Sequence, residues 1–266
     1  MGLAYVVTSG KGGVGKTTTT ANLGTALANM GKKVVVVDAD TGLRNLDVVM
    51  GLENRVVYDL VDVVEGLCRV KQALIRDKRF EGLYLLPTAQ TKDKTAVKPD
   101  QMRKIVKELK EEFEFVLIDC PAGIERGFEN AIAGADKAIV VTVPEVSAVR
   151  DADRIIGLLV SKGMEAKEIR LIINRLKIDM TKRGDMLNIE DMVDILAIEM
   201  LGVIPDDEKI IVSTNRGEPV VTYDNAPSGL AYRNIARRIL GEEVPFMNLE
   251  QNRNVFKGFI KKILNL

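Results

Sequence analysis

The chain has 266 residues, with 38 Lys plus Arg against 38 Asp plus Glu, no histidine and two cysteines. Its length can bury a large core in one α/β domain, and the balanced charge argues against broad electrostatic attraction to nucleic acid without excluding a local patch. The lack of histidine excludes a histidine base, a histidine metal ligand and a histidine pH switch.

The first predicted element is a strand, Ala4–Val7, within the apolar run that begins at Leu3. The chain enters it directly, with no signal peptide. A glycine-rich segment follows: Gly10, Lys11, Gly12, Gly13, Val14, Gly15, Lys16, Thr17 and Thr18. It satisfies G-x-x-x-x-G-K-[ST], and the helix predicted over Thr17–Met30 completes the strand–loop–helix context that the motif requires. Glycines let the backbone N–H groups wrap a triphosphate, and the helix adds the positive end of its dipole. In this motif Lys16 reaches the β- and γ-phosphates and the Thr17 hydroxyl ligates Mg²⁺. Lys11 has two readings, a solvated loop lysine or a contact to phosphates held by a second copy of the chain.

The second predicted strand, Lys33–Asp38, ends in Asp38-Ala39-Asp40. Next come a helix over Tyr58–Gly66, a strand over Gly82–Leu86 and a helix over Lys98–Glu112. The strand Phe115–Asp119 ends in an aspartate that can hold Mg²⁺ directly or through water, or can serve as a cap or turn former. Cys120 follows it and, like Cys68, forms no C-x-x-C pair, so both read as small buried thiols of a reducing, intracellular location. A strand over Ala138–Val143, a helix over Ala148–Lys162 and a strand over Ile169–Asn174 come next, with Asn174 positioned to meet an adenine edge or to cap a turn. The last predicted core elements are a helix over Ile189–Leu196, a strand over Met200–Ile204 and a helix over Gly229–Leu240. This alternation predicts an α/β, doubly wound, mostly parallel sheet with helices on both faces. No linker or repeat marks an internal boundary. Ligands of such sheets sit beyond the carboxyl ends of the strands.

Residues 245–266 are read as a linker and tail beyond an ATPase domain over 1–244. At about 100° per residue, Val255, Phe256, Phe259, Ile260, Ile263, Leu264 and Leu266 share one face. Lys257, Lys261 and Lys262 lie opposite. The pattern fits a terminal helix docked on the core, or one lying on an anionic membrane surface. No apolar run approaches the roughly 18 residues that span a bilayer.

The K-G-G-x-G-K-T sequence resembles the deviant Walker A motif of the MinD/ParA family of P-loop ATPases, and the resemblance runs from the first strand to the tail. It implies Mg-dependent ATP hydrolysis and an ATP-sandwich homodimer in which Lys11 crosses the interface. It places Asp40 at the attacking water, Asp38 in the outer shell of the metal, and Gly123 at the γ-phosphate. The segments Asn174-Arg175 and Ile204-Pro205-Asp206-Asp207 are similar to the family's base-binding pair, giving Asn174, Arg175, Pro205 and Asp207 as adenine contacts. The tail resembles the family's membrane-targeting helix, which assigns Val255, Phe256, Lys257, Phe259, Ile260, Lys261, Lys262, Ile263 and Leu264 to anionic lipid. By the same resemblance the partners are a MinC-like division inhibitor and a MinE-like activator, docking near the segment 144–154. The location implied is cytoplasmic and reversibly peripheral on the inner membrane, and the role is septum placement. Other members partition DNA or set flagellar number. An iron–sulfur carrier would need paired cysteines, and a nucleotide-binding scaffold would need no turnover.

Overall fold

The computed structural model describes residues 1–41, 44–90, 96–124 and 126–247. Eight strands form one sheet: β1 (Leu3–Thr8), β2 (Val34–Asp38), β3 (Ile75–Arg76), β4 (Leu83–Leu86), β5 (Phe115–Asp119), β6 (Lys137–Thr142), β7 (Ile169–Leu176) and β8 (Glu199–Pro205). Their order across the sheet is β3-β4-β2-β5-β1-β6-β7-β8. All neighbours run parallel except β3 against β4.

The helices are α1 (Lys16–Asn29), α2 (Leu46–Val49), α3 (Leu60–Val64), α4 (Val70–Ala73), α5 (Pro99–Glu112), α6 (Arg126–Ile132), α7 (Val146–Ser161), α8 (Ile178–Lys182), α9 (Ile189–Leu196), α10 (Glu208–Asn215) and α11 (Pro227–Ile239). The continuous apolar strands are buried on both faces, and their residues alternate between two cores. Ala4, Val6, Val35 and Val37 face the core built with α5, α6, α7 and α9. Tyr5, Val7, Val34 and Val36 face the one built with α1, α2 and α11. This is the period of two that a pleated strand imposes.

Strand order reverses at β1. The chain moves one way to β2, returns to β5 beside β1, then continues through β6 on the other flank. Such a switch point leaves a crevice at the strands' carboxyl ends. Three differences from the sequence reading concern local elements. The two-residue antiparallel β3 was not anticipated, nor were α2, α4, α6, α8 and α10. Helix α7 starts at Val146, two residues before the predicted Ala148. Cys120 is buried as expected, whereas Cys68 is only partly buried. The tail residues 255–264 assigned to lipid lie outside the described residues.

Candidate nucleotide site

The loop from Ser9 to Gly15 joins β1 to α1 at the switch point. Gly15 caps α1 with φ +98°, a left-handed conformation open to glycine at no steric cost. A Cβ there would also lie 2.4 Å from Asn174 Nδ2. At Gly10 the constraint is proximity: a Cβ would lie 2.3 Å from the Asp151 carbonyl oxygen of α7. The glycine pattern thus matches two physical needs, a turn and a close approach.

The two loop lysines behave differently. Lys16 is almost buried, and its ammonium donates to Ser9 Oγ at 3.1 Å. Ser9 Oγ in turn donates to the Lys11 carbonyl at 2.8 Å. Lys11 points outward and pairs with Glu145 Oε2 at 3.2 Å.

Asp38 and Asp119 close the carboxyl ends of β2 and β5 at the same register position, and both are buried. Burial pushes the Asp119 carboxyl up to about 7, opposed by a hydrogen bond from Thr17 and by the Lys16 charge. Burial, then the Asp119 charge, raises Asp38 well above the usual carboxylate range. Asp38 Oδ1 accepts from the Asp40 N–H at 2.9 Å and Oδ2 from the Leu46 N–H at 3.3 Å. One aspartate therefore holds the loop that carries Asp40, while the other faces the phosphate loop through Thr17. Asp40 is half-buried in this arrangement.

Paired buried carboxylates are costly unless a cation meets them. Among the described residues, no group of three or more His, Cys, Asp and Glu forms a cation cage. That sparse set fits Mg²⁺, which keeps several waters and binds through one or two carboxylates plus phosphate oxygens. The Thr17 hydroxyl and Asp119 would hold it, with Asp38 behind them.

A cleft of about 820 Å³ opens beside the loop, lined by Gly15, Thr18, Glu145, Asn174, Arg175 and Asp207 among others. Three of the four predicted adenine residues therefore share one wall. Pro205 is buried at the end of β8 and does not line it. The Asn174 side chain is bonded within the chain: its Nδ2 donates to the Val14 carbonyl at 2.7 Å and its Oδ1 accepts from the Arg175 N–H at 2.9 Å. Asp207 caps α10 through the Lys209 N–H at 3.0 Å and accepts from Ser228 Oγ at 2.7 Å. Both side chains thus brace the walls of the cleft. Met180 and Leu187, on the α8–α9 segment, supply an apolar wall that sequence reasoning missed. Gly123 lies in the β5–α6 loop with φ +92°, and its neighbour Ala122 sits 3.7 Å from a Cβ built on Gly12. Residues 42 and 43, between Asp40 and Arg44, lie outside the described residues.

The nucleotide-binding domain model of the CobQ/CobB/MinD/ParA group matches residues 5–220. The septum site-determining protein MinD of Bacillus subtilis is 60% identical over 264 residues, covering 99% of this chain and 97% of that one. This chain belongs to the MinD family. The Escherichia coli MinD protein is 49% identical, with 99% of each chain covered. A chain of the MinC:MinD cell division protein complex of Aquifex aeolicus superposes with TM-score 0.86 at 49% identity, covering 92% of this chain and 99% of that one. The MinD protein of Pyrococcus horikoshii, solved with Mg-ADP, gives TM-score 0.82 at 33% identity, covering 90% and 96%. As a MinD-family member the chain is a nucleotide-binding P-loop ATPase with a role in placing the division septum.

Proposed function

We propose that this chain is an ATP-driven switch, monomeric without ATP and paired through its phosphate loops when ATP and Mg²⁺ are bound. The glycine loop from Gly10 to Thr18 holds the triphosphate, with Lys16 leaving Ser9 for the β- and γ-phosphates. Thr17 and Asp119 would hold Mg²⁺, with Asp38 behind them, and the ion would supply positive charge to the phosphates. Gly123 donates its N–H to the γ-phosphate. Asp40 aligns a water for in-line attack on the γ-phosphorus. The bond to the bridging oxygen breaks and ADP leaves; one of the water's protons stays on the phosphate as its hydroxyl, and the other passes to solvent or to a phosphate oxygen. Phosphoryl transfer asks mainly for alignment and charge stabilisation, so an ordinary carboxylate suffices. The base lies in the cleft beside Asn174, Arg175 and Asp207, which shape the walls, with Pro205 behind them at the end of β8.

Residues 1–244 form the ATPase domain, and 245–266 attach it to anionic lipid on the cytoplasmic face of the inner membrane. Among the described residues no helix is long and apolar enough to cross a membrane. One short amphipathic segment binds marginally, whereas two on one dimer act together through effective concentration. Pairing thereby becomes membrane binding, and hydrolysis reverses it. The paired form recruits a division inhibitor, by analogy with the Aquifex MinC:MinD complex, and a MinE-like protein activates turnover.

The observation that carries this reading is the outward position of Lys11, paired with Glu145 of a cleft wall that also exposes Val146 (65%) and Ile211 (65%). Exposed apolar residues around a charged loop fit a surface that meets another copy. Sedimentation with ATP tests it. Wild type should pair, Lys16→Ala should stay monomeric, and Asp40→Ala should pair while hydrolysing at least about 100-fold more slowly, a barrier increase near 2.7 kcal/mol. Normal turnover by Asp40→Ala removes that residue from the chemistry. Pairing by Lys16→Ala removes the loop from assembly.

A further inference from the structure

Lys11 is engaged within its own chain. Its ammonium lies 3.2 Å from Glu145 Oε2 of the same chain. Glu145 occupies the N-cap of α7, yet its side chain makes no bond to the N–H groups of that helix. It reaches instead to Lys11 of the phosphate loop. Backbone packing sets up this meeting, because Gly10 abuts the Asp151 carbonyl so closely that a Cβ would be 2.3 Å away. Loop and helix are held together independently of the two side chains. Glu145 also lines the nucleotide cleft.

We infer that Glu145 is a latch for Lys11. In the unpaired chain it keeps the ammonium on the chain's own surface, and a triphosphate presented by a second copy must displace it. The proposal rests on the pairing reading above and adds a threshold to it. A triphosphate in the same chain's cleft repels the Glu145 carboxylate, so loading with ATP loosens the latch before the partner's phosphates take the lysine. Nucleotide occupancy and pairing are thereby linked through one ion pair.

Solvent limits the size of the effect. The side chains are 45% and 57% exposed, and an exposed pair contributes a factor of at most about five to an equilibrium. A dimer must open two latches, so Glu145→Gln should tighten pairing about two- to thirty-fold, and salt should shrink the difference. The test is sedimentation velocity over a range of protein concentrations with a non-hydrolysable ATP analogue, at low and high salt. It is coupled to the rate of reductive methylation of the Lys11 amine without nucleotide. The expected result is tighter, less salt-sensitive pairing by Glu145→Gln and faster methylation of its Lys11. Weaker or unchanged pairing by Glu145→Gln overturns the latch and would assign Glu145 to the assembled interface or to the surface. Unchanged methylation overturns it at the level of the ion pair. A wild type that stays monomeric with the analogue, while Lys11 methylation still responds to Glu145→Gln, overturns the pairing reading and with it the latch's role in assembly.

Discussion

Asp38 and Asp119 sit side by side at the ends of β2 and β5, and burial works against ionising both. With its folded-state value raised from 3.8 to about 7, Asp119 binds more protons in the folded chain than in the unfolded one. Its stabilising contribution is present in full below the unfolded value and is lost as pH rises through about 7. The metal- and nucleotide-free protein should therefore lose up to a few kcal/mol between pH 5 and pH 8 relative to Asp119→Asn, at about 1.4 kcal/mol for each tenfold difference in proton affinity between the folded and unfolded chains. Urea melts of both proteins at each pH measure the difference, and a constant difference would contradict the account. The sequence showed the aspartates, because each closes an apolar β-branched run. It could not show their cost, which depends on β2 and β5 becoming neighbours although 76 residues of chain separate the strands. For Asn174 the residue type left a cap and an adenine contact open, and the 2.7 Å bond to the Val14 carbonyl shows a third use, bracing the phosphate loop.

At the scale of elements, α1 does more than present a helix N-terminus to phosphate. It is buried nearly all round, wedged between the sheet and α11. Its polar residues are bonded inside: Asn22 Oδ1 accepts from the Val221 N–H at 2.8 Å, and Thr19 Oγ1 meets the Tyr232 hydroxyl at 3.3 Å. Gly24 lets it reach β2, since a Cβ would lie 2.5 Å from Val36 Cγ1. Gly24→Val should cost about 1–3 kcal/mol as overpacking. An unchanged urea midpoint would mean that α1 and β2 are less tightly joined than described. Long strands and helices were legible because their apolar periods are long enough to read. The helices α2, α4 and α8, of four or five residues, carry little more than one turn. The apolar wall of the cleft at Met180 and Leu187 went unnoticed with them.

In the proposed switch the whole molecule would couple three weak events: Lys16 would exchange Ser9 for phosphate, Lys11 would exchange Glu145 for a partner's phosphate, and two tails would meet lipid together. The Lys16–Ser9 and Lys11–Glu145 contacts are visible in the structure. The third rests on the pattern of Phe256, Phe259, Ile260 and Ile263 opposed by Lys257, Lys261 and Lys262. Burying such an apolar face gains roughly 25 cal/mol per Å² removed from water, and pairing lets two such faces act at once. Vesicle co-sedimentation tests that coupling most directly, using anionic vesicles with ADP or with a non-hydrolysable ATP analogue and Phe259→Glu as the control. Wild type should sediment at least about 10-fold more with the analogue than with ADP, while Phe259→Glu binds nucleotide normally and stays in solution. Equal sedimentation with both nucleotides, or retention of Phe259→Glu on the vesicles, would contradict the switch.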